Sequence, residues 1–229
     1  APAWEENKTL PLQGQEIHLW RIGLDLSASI LRDLEELLSP EEQHRANKFF
    51  REPDRLRFVL GRGGVRKLLS LYSNKVSSDL MLEKGPHGKP FVQTLDKLHF
   101  NISHSGNWVL IAIGLSELGI DLEKTRDDFA WDSLLRACFH PNERKMISES
   151  EIPGVEFFKF WTRKEAFLKA TGNGIVDDLQ TITCLEGSQQ WEFPSLSSEM
   201  NWHIKSFIMD FSYAVSLCSP IQNPIIRYF

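Results

Sequence analysis

Apolar and polar positions follow two rhythms along this chain, and the points where one gives way to the other divide it into elements. From Leu19 to Leu26 the apolar residues are closely spaced and end in a turn, which predicts a strand. From Ala28 to Leu38 they recur at Leu31, Leu34, Leu37 and Leu38, the spacing of one helix face. Ser39-Pro40-Glu41-Glu42 then supplies an N-cap, a proline in the first turn and acids where the helix dipole favours them, so a second helix is expected through Phe50. A third is expected from Asp54 to about Tyr72. Glycine and proline punctuate Gly85-Pro86-His87-Gly88-Lys89-Pro90 as a turn-rich loop. Beyond it, His99–Ser103 and Asn107–Gly114 flank a Ser-Gly-Asn turn as a hairpin, and Gly119–Glu123 is a further strand.

The second half repeats this order. His140-Pro141-Asn142-Glu143 opens a helix as Ser39-Pro40-Glu41-Glu42 does, and Thr162-Arg163 answers Gly61-Arg62, both at an offset of about 101 residues. Glu156–Thr171 is a long helix, and His203–Ile208 with Tyr213–Cys218 forms a hairpin offset by about 104 residues from the first. The expected fold class is therefore α+β, with two similar halves, residues 1–116 and 117–229, packed together and presenting a cleft between them.

Composition narrows the function classes. The 229 residues are 41% apolar and include 7 Trp, 3 Tyr and 15 Phe, enough for a sizeable core. A net charge of −5 argues against a protein that coats nucleic acid or an anionic membrane over its whole surface. Apolar runs such as Trp108–Leu115 are too short to span a bilayer, and no secretory-signal pattern is present. Cys138, Cys184 and Cys218 are too far apart for a Cys-x-x-Cys metal site and too few for a disulfide framework, so a cytoplasmic setting is expected.

The candidate chemistry begins in the long helix. At about 100° per residue, with Trp161 at zero, Phe157 lies near −40°, Leu168 near −20°, Glu165 near +40°, Phe158 near +60° and Lys169 near +80°. Glu165 thus falls inside the apolar stripe, where a carboxylate is costly unless a metal ion or a lysine meets it. A surface ion pair with Lys169 at the margin of the core meets the same geometry. Asp121 and Glu123 alternate with Ile120 and Leu122, so both carboxylates share one strand face. That face is either simply solvated or, together with Glu165, a set of oxygen ligands suited to Mg²⁺. Cations gather at Arg45, Lys48 and Arg51, then at Arg55, Arg57, Arg62, Arg66 and Lys67. In an acidic chain such a cluster suits a phosphorylated ligand. Gly88-Lys89-Pro90 and Ser103-His104 add further donors. Adjacent Ser103 and His104 do not make a hydrolase dyad, and no Gly-x-Ser-x-Gly elbow accompanies them.

Gly119-Ile-Asp-Leu-Glu123, followed by Phe160-Trp-Thr-Arg-Lys-Glu-Ala-Phe-Leu-Lys169, resembles the paired signature of the 4′-phosphopantetheinyl transferases, in particular the larger Sfp-type enzymes with two pseudo-symmetric halves. Gly88-Lys89-Pro90-Phe91, Asn101-Ile-Ser-His-Ser-Gly106 and the basic stretch from Arg45 to Arg62 fall in the same order as in that family. The resemblance implies transfer of the phosphopantetheine arm of coenzyme A to a serine of an apo acyl or peptidyl carrier protein, with release of adenosine 3′,5′-bisphosphate. It implies Mg²⁺ on Asp121, Glu123 and Glu165, with Lys169 neutralising the pyrophosphate. Ser103 and His104 would meet the 3′-phosphate and adenosine end, with Arg45, Lys48, Arg62, Lys89 and Pro90 as further coenzyme A contacts. Asp121, Glu165 and Lys169 are the expected catalytic residues, Glu165 or a metal-bound water the expected base, and Glu143 a weaker candidate. A monomer is expected. The amphipathic stretch Phe129–Phe139, with Arg136, is the candidate carrier contact. The alternative from another class is a coenzyme A-binding or nucleotide-binding protein without turnover.

Overall fold

The computed structural model describes residues 11–73, 75–95, 97–126, 129–174, 178–185, 187–189 and 201–229. The first half runs β1 (Glu16–Gly23), α1 (Ala28–Glu36), α2 (Pro40–Ala46), α3 (Glu52–Ser73), the short pair β2 (Glu83–Lys84) and β3 (Pro90–Phe91), then the hairpin β4 (His99–Ser105) and β5 (Trp108–Gly114). The second half runs β6 (Gly119–Lys124), α4 (Asp132–Cys138), α5 (Pro141–Glu149), α6 (Pro153–Thr171), β7 (Gly187–Gln189), β8 (Trp202–Met209), β9 (Tyr213–Ser219) and β10 (Ile225–Tyr228).

Two four-stranded sheets result, in the orders β10-β1-β5-β4 and β6-β9-β8-β7. In each, the strand that opens the half pairs antiparallel with the last strand of the hairpin, so β1-β5-β4 corresponds to β6-β9-β8. The two halves are therefore alike in topology, and the fold is α+β. β10 departs from the symmetry, because it crosses back and pairs in parallel with β1, Glu16 facing Ile225. Four residues carry no readable period, and the sequence alone assigns them no element.

The layers explain the patterning. Val109, Ile111 and Ile113 of β5 pack toward α3, whereas Leu110 and Ala112 pack against Ile120, Leu122, Val215 and Leu217 of the second sheet. β5 is buried on both faces, which is why it reads as a continuous apolar run. The outer face of the second sheet is covered by α6, whose Ala166, Phe167 and Ala170 share a core with Cys184, Trp202 and Cys218. Among the described residues no helix is long and apolar enough to cross a membrane.

Helix ends shift from the expected ones in four helices, α1 closing at Glu36 rather than Leu38 with Leu37 as its C-cap. Ser39 Oγ accepts from the Glu42 N–H while Glu42 accepts from the Ser39 N–H, a reciprocal box that starts α2. α2 stops at Ala46 rather than Phe50, with Asn47 as its C-cap, and Phe49 turns back onto Phe58 at 5.5 Å between ring centres. α3 and α6 begin at Glu52 and Pro153, earlier than expected, because a proline in the first turn costs no hydrogen bond.

The second half carries its own internal tie. Lys164 and Glu143 are both fully buried and lie 2.8 Å apart. Lys164 Nζ also donates to the carbonyls of Leu179 and Ile182, and Glu143 accepts from the backbone N–H groups of His140 and Cys184. The pair thus fastens residues 179–184 to α5 and α6. Removing one partner leaves an uncompensated buried charge, so Glu143→Ala is expected to cost about 3–5 kcal/mol in urea unfolding. A loss below about 1 kcal/mol would contradict this role for the pair.

Candidate active site

β4 and β6 are edge strands of different sheets, and alternate side chains of one are bonded to alternate amides of the other. Asn101 Oδ1 accepts from the Ile120 N–H at 2.9 Å, Ser103 Oγ from the Leu122 N–H at 3.1 Å and Ser105 Oγ from the Lys124 N–H at 3.0 Å. The same two hydroxyls donate onward, Ser103 to Asp121 Oδ1 at 2.9 Å and Ser105 to Glu123 Oε2 at 2.8 Å. Both carboxylates are therefore aimed by the opposite half of the molecule.

α6 supplies the other wall. Gly119 lies so close to it that a Cβ there would sit 2.0 Å from the Ala166 carbonyl oxygen and 2.4 Å from the Ala170 nitrogen. Only glycine permits that approach, and it brings β6 under Glu165 and Lys169. Lys169 Nζ donates to Asp121 Oδ1 at 2.5 Å, to Ser103 Oγ at 3.2 Å and to the Ile120 carbonyl at 3.3 Å. Its partner is thus Asp121 and not Glu165, which removes the alternative of a plain surface pair within the helix. A cavity of about 330 Å³ is lined by Ile102, Ser103, His104, Asp121, Glu123, Trp161, Glu165 and Lys169.

Charge in this cavity is unbalanced. Burial, then the neighbouring Asp121 charge, push the carboxyl of Glu165 above its usual range, and Lys169 offsets this only in part. Glu123 is raised by the same two causes, opposed by the Ser105 hydrogen bond. Asp121 Oδ2 is buried without a hydrogen-bond partner. As they stand, the described residues form no assembled group of three ligands. In kind, however, a buried unpartnered carboxylate oxygen beside two carboxylates that resist ionisation suits a hard, oxygen-seeking cation such as Mg²⁺.

An adjoining cavity of about 230 Å³ runs from Glu165 and Lys169 along Asn101 and Ile102 to His87, Gly88, Lys89 and Pro90. Lys89 and Pro90 therefore border the site, but the Lys89 ammonium is already bonded to Glu117 at 2.7 Å and to the Ala170 carbonyl at 3.0 Å. Arg45, Lys48 and Arg62 are not among the described residues lining either cavity. Arg45 lies over the Phe58 ring at 5.2 Å, Arg62 sits 3.9 Å from Glu42, and Lys48 is exposed. Burial lowers the pKa of Arg62, which Glu42 partly restores. Arg57 comes closer than these three: it donates to the Gly106 carbonyl at 2.5 Å and to Asp54 at 2.5 Å. Lost hydration, followed by the charges of Lys169 and Arg57, holds the imidazole of His104 below its usual pKa. The helical face of α3 gave no means of choosing Arg57 from its neighbours, because its nearness to His104 depends on the β4–β5 turn.

Two further expectations meet the structure here. Glu143, the weaker base candidate, is sealed in the Lys164 pair and cannot reach a substrate. The apolar residues of Phe129–Phe139 turn inward, Phe129 and Trp131 against Phe157 and Leu134 and Leu135 against the same cluster, while Arg136 stays exposed.

Comparison with known proteins places this geometry. Residues 117–218 match the family described as the 4′-phosphopantetheinyl transferase superfamily, and residues 27–115 match the family described as 4′-phosphopantetheinyl transferase, N-terminal. The 4′-phosphopantetheinyl transferase HetI of Nostoc sp. is 40% identical over 172 residues, covering 72% of this chain and 73% of that protein. The enzyme Sfp of Bacillus subtilis is 29% identical over 187 residues, 80% of this chain and 82% of its own length. Its counterpart gsp of Aneurinibacillus migulanus is 31% identical over 159 residues, 68% and 65% of the two chains. With both halves matched in order and the carboxylates gathered on the β4–β6 seam, the chain belongs to the 4′-phosphopantetheinyl transferase superfamily.

Proposed function

We propose that this protein transfers the 4′-phosphopantetheine arm of coenzyme A to a serine hydroxyl of an apo acyl or peptidyl carrier protein, in a Mg²⁺-dependent reaction that releases adenosine 3′,5′-bisphosphate. The observation that carries the reading is the cavity shared by Asp121, Glu123, Glu165 and Lys169, in which a buried carboxylate oxygen has no partner. Asp121, Glu123 and Glu165 would hold the magnesium ion, which when bound neutralises pyrophosphate charge.

The serine oxygen attacks the phosphorus that bears the pantetheine arm, and the bond from that phosphorus to the bridging oxygen breaks. The electron pair leaves on the adenosine side. Lys169, whose ammonium lies on the seam, stabilises the charge that develops there. Glu165 is the proposed acceptor of the serine proton: it lines the cavity beside Asp121 and Lys169, and no described residue holds it in a hydrogen bond. His104 lines the cavity and the Arg57 charge lies close enough to influence its imidazole, so the pair would meet a phosphate dianion there. Lys89 and Pro90 contribute the wall between the cavities, and Ser103 acts through Asp121 and Lys169. Arg45 of α2, Lys48 of the connection after it and Arg62 of α3 supply positive charge that favours the approach of an anion.

The direct test incubates the protein with coenzyme A, Mg²⁺ and an apo carrier protein, then weighs the carrier. A gain of one phosphopantetheine is expected; an unchanged carrier with coenzyme A bound would instead favour the non-catalytic reading. Glu165→Gln is expected to lower transfer by about 10²–10⁴-fold. The same substitution removes a carboxyl whose pKa the fold raises. Such a group weakens the fold once pH exceeds its unfolded value of about 4.3, so in a chelator the variant should melt higher than the parent at pH 7. The gain should vanish below about pH 4. A lower melting temperature at pH 7 would contradict the proposed strain.

Dephospho-coenzyme A is expected to react more slowly than coenzyme A, by about 10–150-fold for each charge-assisted hydrogen bond that the 3′-phosphate accepts. His104→Ala should narrow that gap, since two changes touching one interaction are not additive. If the variant slows both substrates equally, the histidine does not touch the 3′-phosphate.

A further inference from the structure

The loop at residues 85–90 is the wall between two cavities. On one side lies the 230 Å³ space that reaches Glu165 and Lys169. On the other lies a larger cavity of about 770 Å³, lined in part by Phe91, Val92, Leu95, Phe100 and Trp202. The loop closes on itself, the Gly85 N–H donating to the Lys89 carbonyl at 2.9 Å and the Gly88 N–H to the Gly85 carbonyl at 2.9 Å. Nothing in those two bonds fixes the strap to the rest of the molecule. Lys89 does so, through the Ala170 carbonyl in the last turn of α6, where a helix leaves its carbonyls unpaired and favours a cation.

We infer that Glu117, just ahead of β6, is a positioning residue that holds the strap through Lys89 and so sets the shape of the coenzyme A cleft. Its Oε2 receives the Lys89 ammonium at 2.7 Å, and its Oε1 lies 3.3 Å from His99 Nδ1 at the start of β4. One carboxylate therefore ties together the strap, β4 and the approach to β6. Exposed ion pairs usually contribute little. Here the carboxylate is engaged at both oxygens by two separate segments, and its pKa is drawn down to about 2, first by the His99 hydrogen bond and then by Lys89. Displacing the strap alters the cavity that ends at Glu165 and Lys169, where small misplacements of a bound substrate are expensive.

The consequence for coenzyme A rests on the transferase reading, whereas the tether itself does not. In Glu117→Gln, amide hydrogen exchange at Gly85 and Gly88 is expected to quicken at least about tenfold. Calorimetry should show coenzyme A bound about tenfold more weakly, and KM for coenzyme A should rise in proportion, with kcat at saturation within about twofold of the parent. Lys89→Met should loosen the same amides, and adding Glu117→Gln to it should quicken their exchange no further, because at the strap both act on one ion pair. Unaltered exchange in Glu117→Gln overturns the tether whatever the transfer assay shows. Additive effects of the two substitutions, or a fall in kcat at unchanged KM, overturn it as well. A parent protein that binds no coenzyme A overturns the transferase reading, and the exchange measurement then decides the tether alone.

Discussion

Ser103 Oγ has one hydrogen to give and two lone pairs, and the molecule uses all three. It donates to Asp121, and it accepts from the Leu122 amide and from Lys169. The two halves of the chain therefore meet at a hydroxyl that also orients a carboxylate and a cation of the candidate site. Asn101 and Ser105 extend the same stitch along the strand pair, and Ser105 does for Glu123 what Ser103 does for Asp121. Buried polar contacts of this kind specify a single arrangement, because any sliding of β4 against β6 would strand amides and hydroxyls together.

The arrangement stores unfavourable electrostatics where the chemistry is proposed. Three carboxylates are held near one another with a single lysine placed against Asp121, and burial, then the Asp121 charge, make Glu123 and Glu165 resist ionisation. The buried pair Lys164 and Glu143 is, by contrast, compensated completely, with partners for both carboxylate oxygens and for the ammonium. The contrast separates the two glutamates by purpose. One holds the fold together, and the other is kept under strain that a bound cation would relieve.

Much of this was legible in the sequence because it is local. Helical spacing, the two boxes at Ser39 and His140, and the alternation at Ile120–Glu123 each depend on residues within four positions, and the halves then repeated. What was hidden depends on distant partners. The Asn101-Ile-Ser-His-Ser pattern shows three polar residues on one strand face, yet nothing in it says that their partners are amides of β6 rather than a phosphate. Lys89 reads as a free cation until Glu117 and the end of α6 are brought beside it, and Glu143 reads as an exposed acid until Lys164 covers it. Lys169 has Glu165 four residues away on its own helix, but the Gly119 contact puts Asp121 closer. β10 is too short to show a period and finds its place only because β1 offers an open edge.

If hydroxyls from one half aim the carboxylates of the other at a divalent cation, removing those hydroxyls should loosen the ion without unfolding the chain. Calorimetric titration of Mg²⁺ into the coenzyme A complex of the parent and of the Ser103→Ala/Ser105→Ala variant measures this. Removing the outer partners of metal-binding carboxylates typically weakens the metal by about 10–100-fold, and a decrease of that size is expected in a variant that remains folded. A folded variant that binds Mg²⁺ as tightly as the parent would refute the aiming role of the two serines.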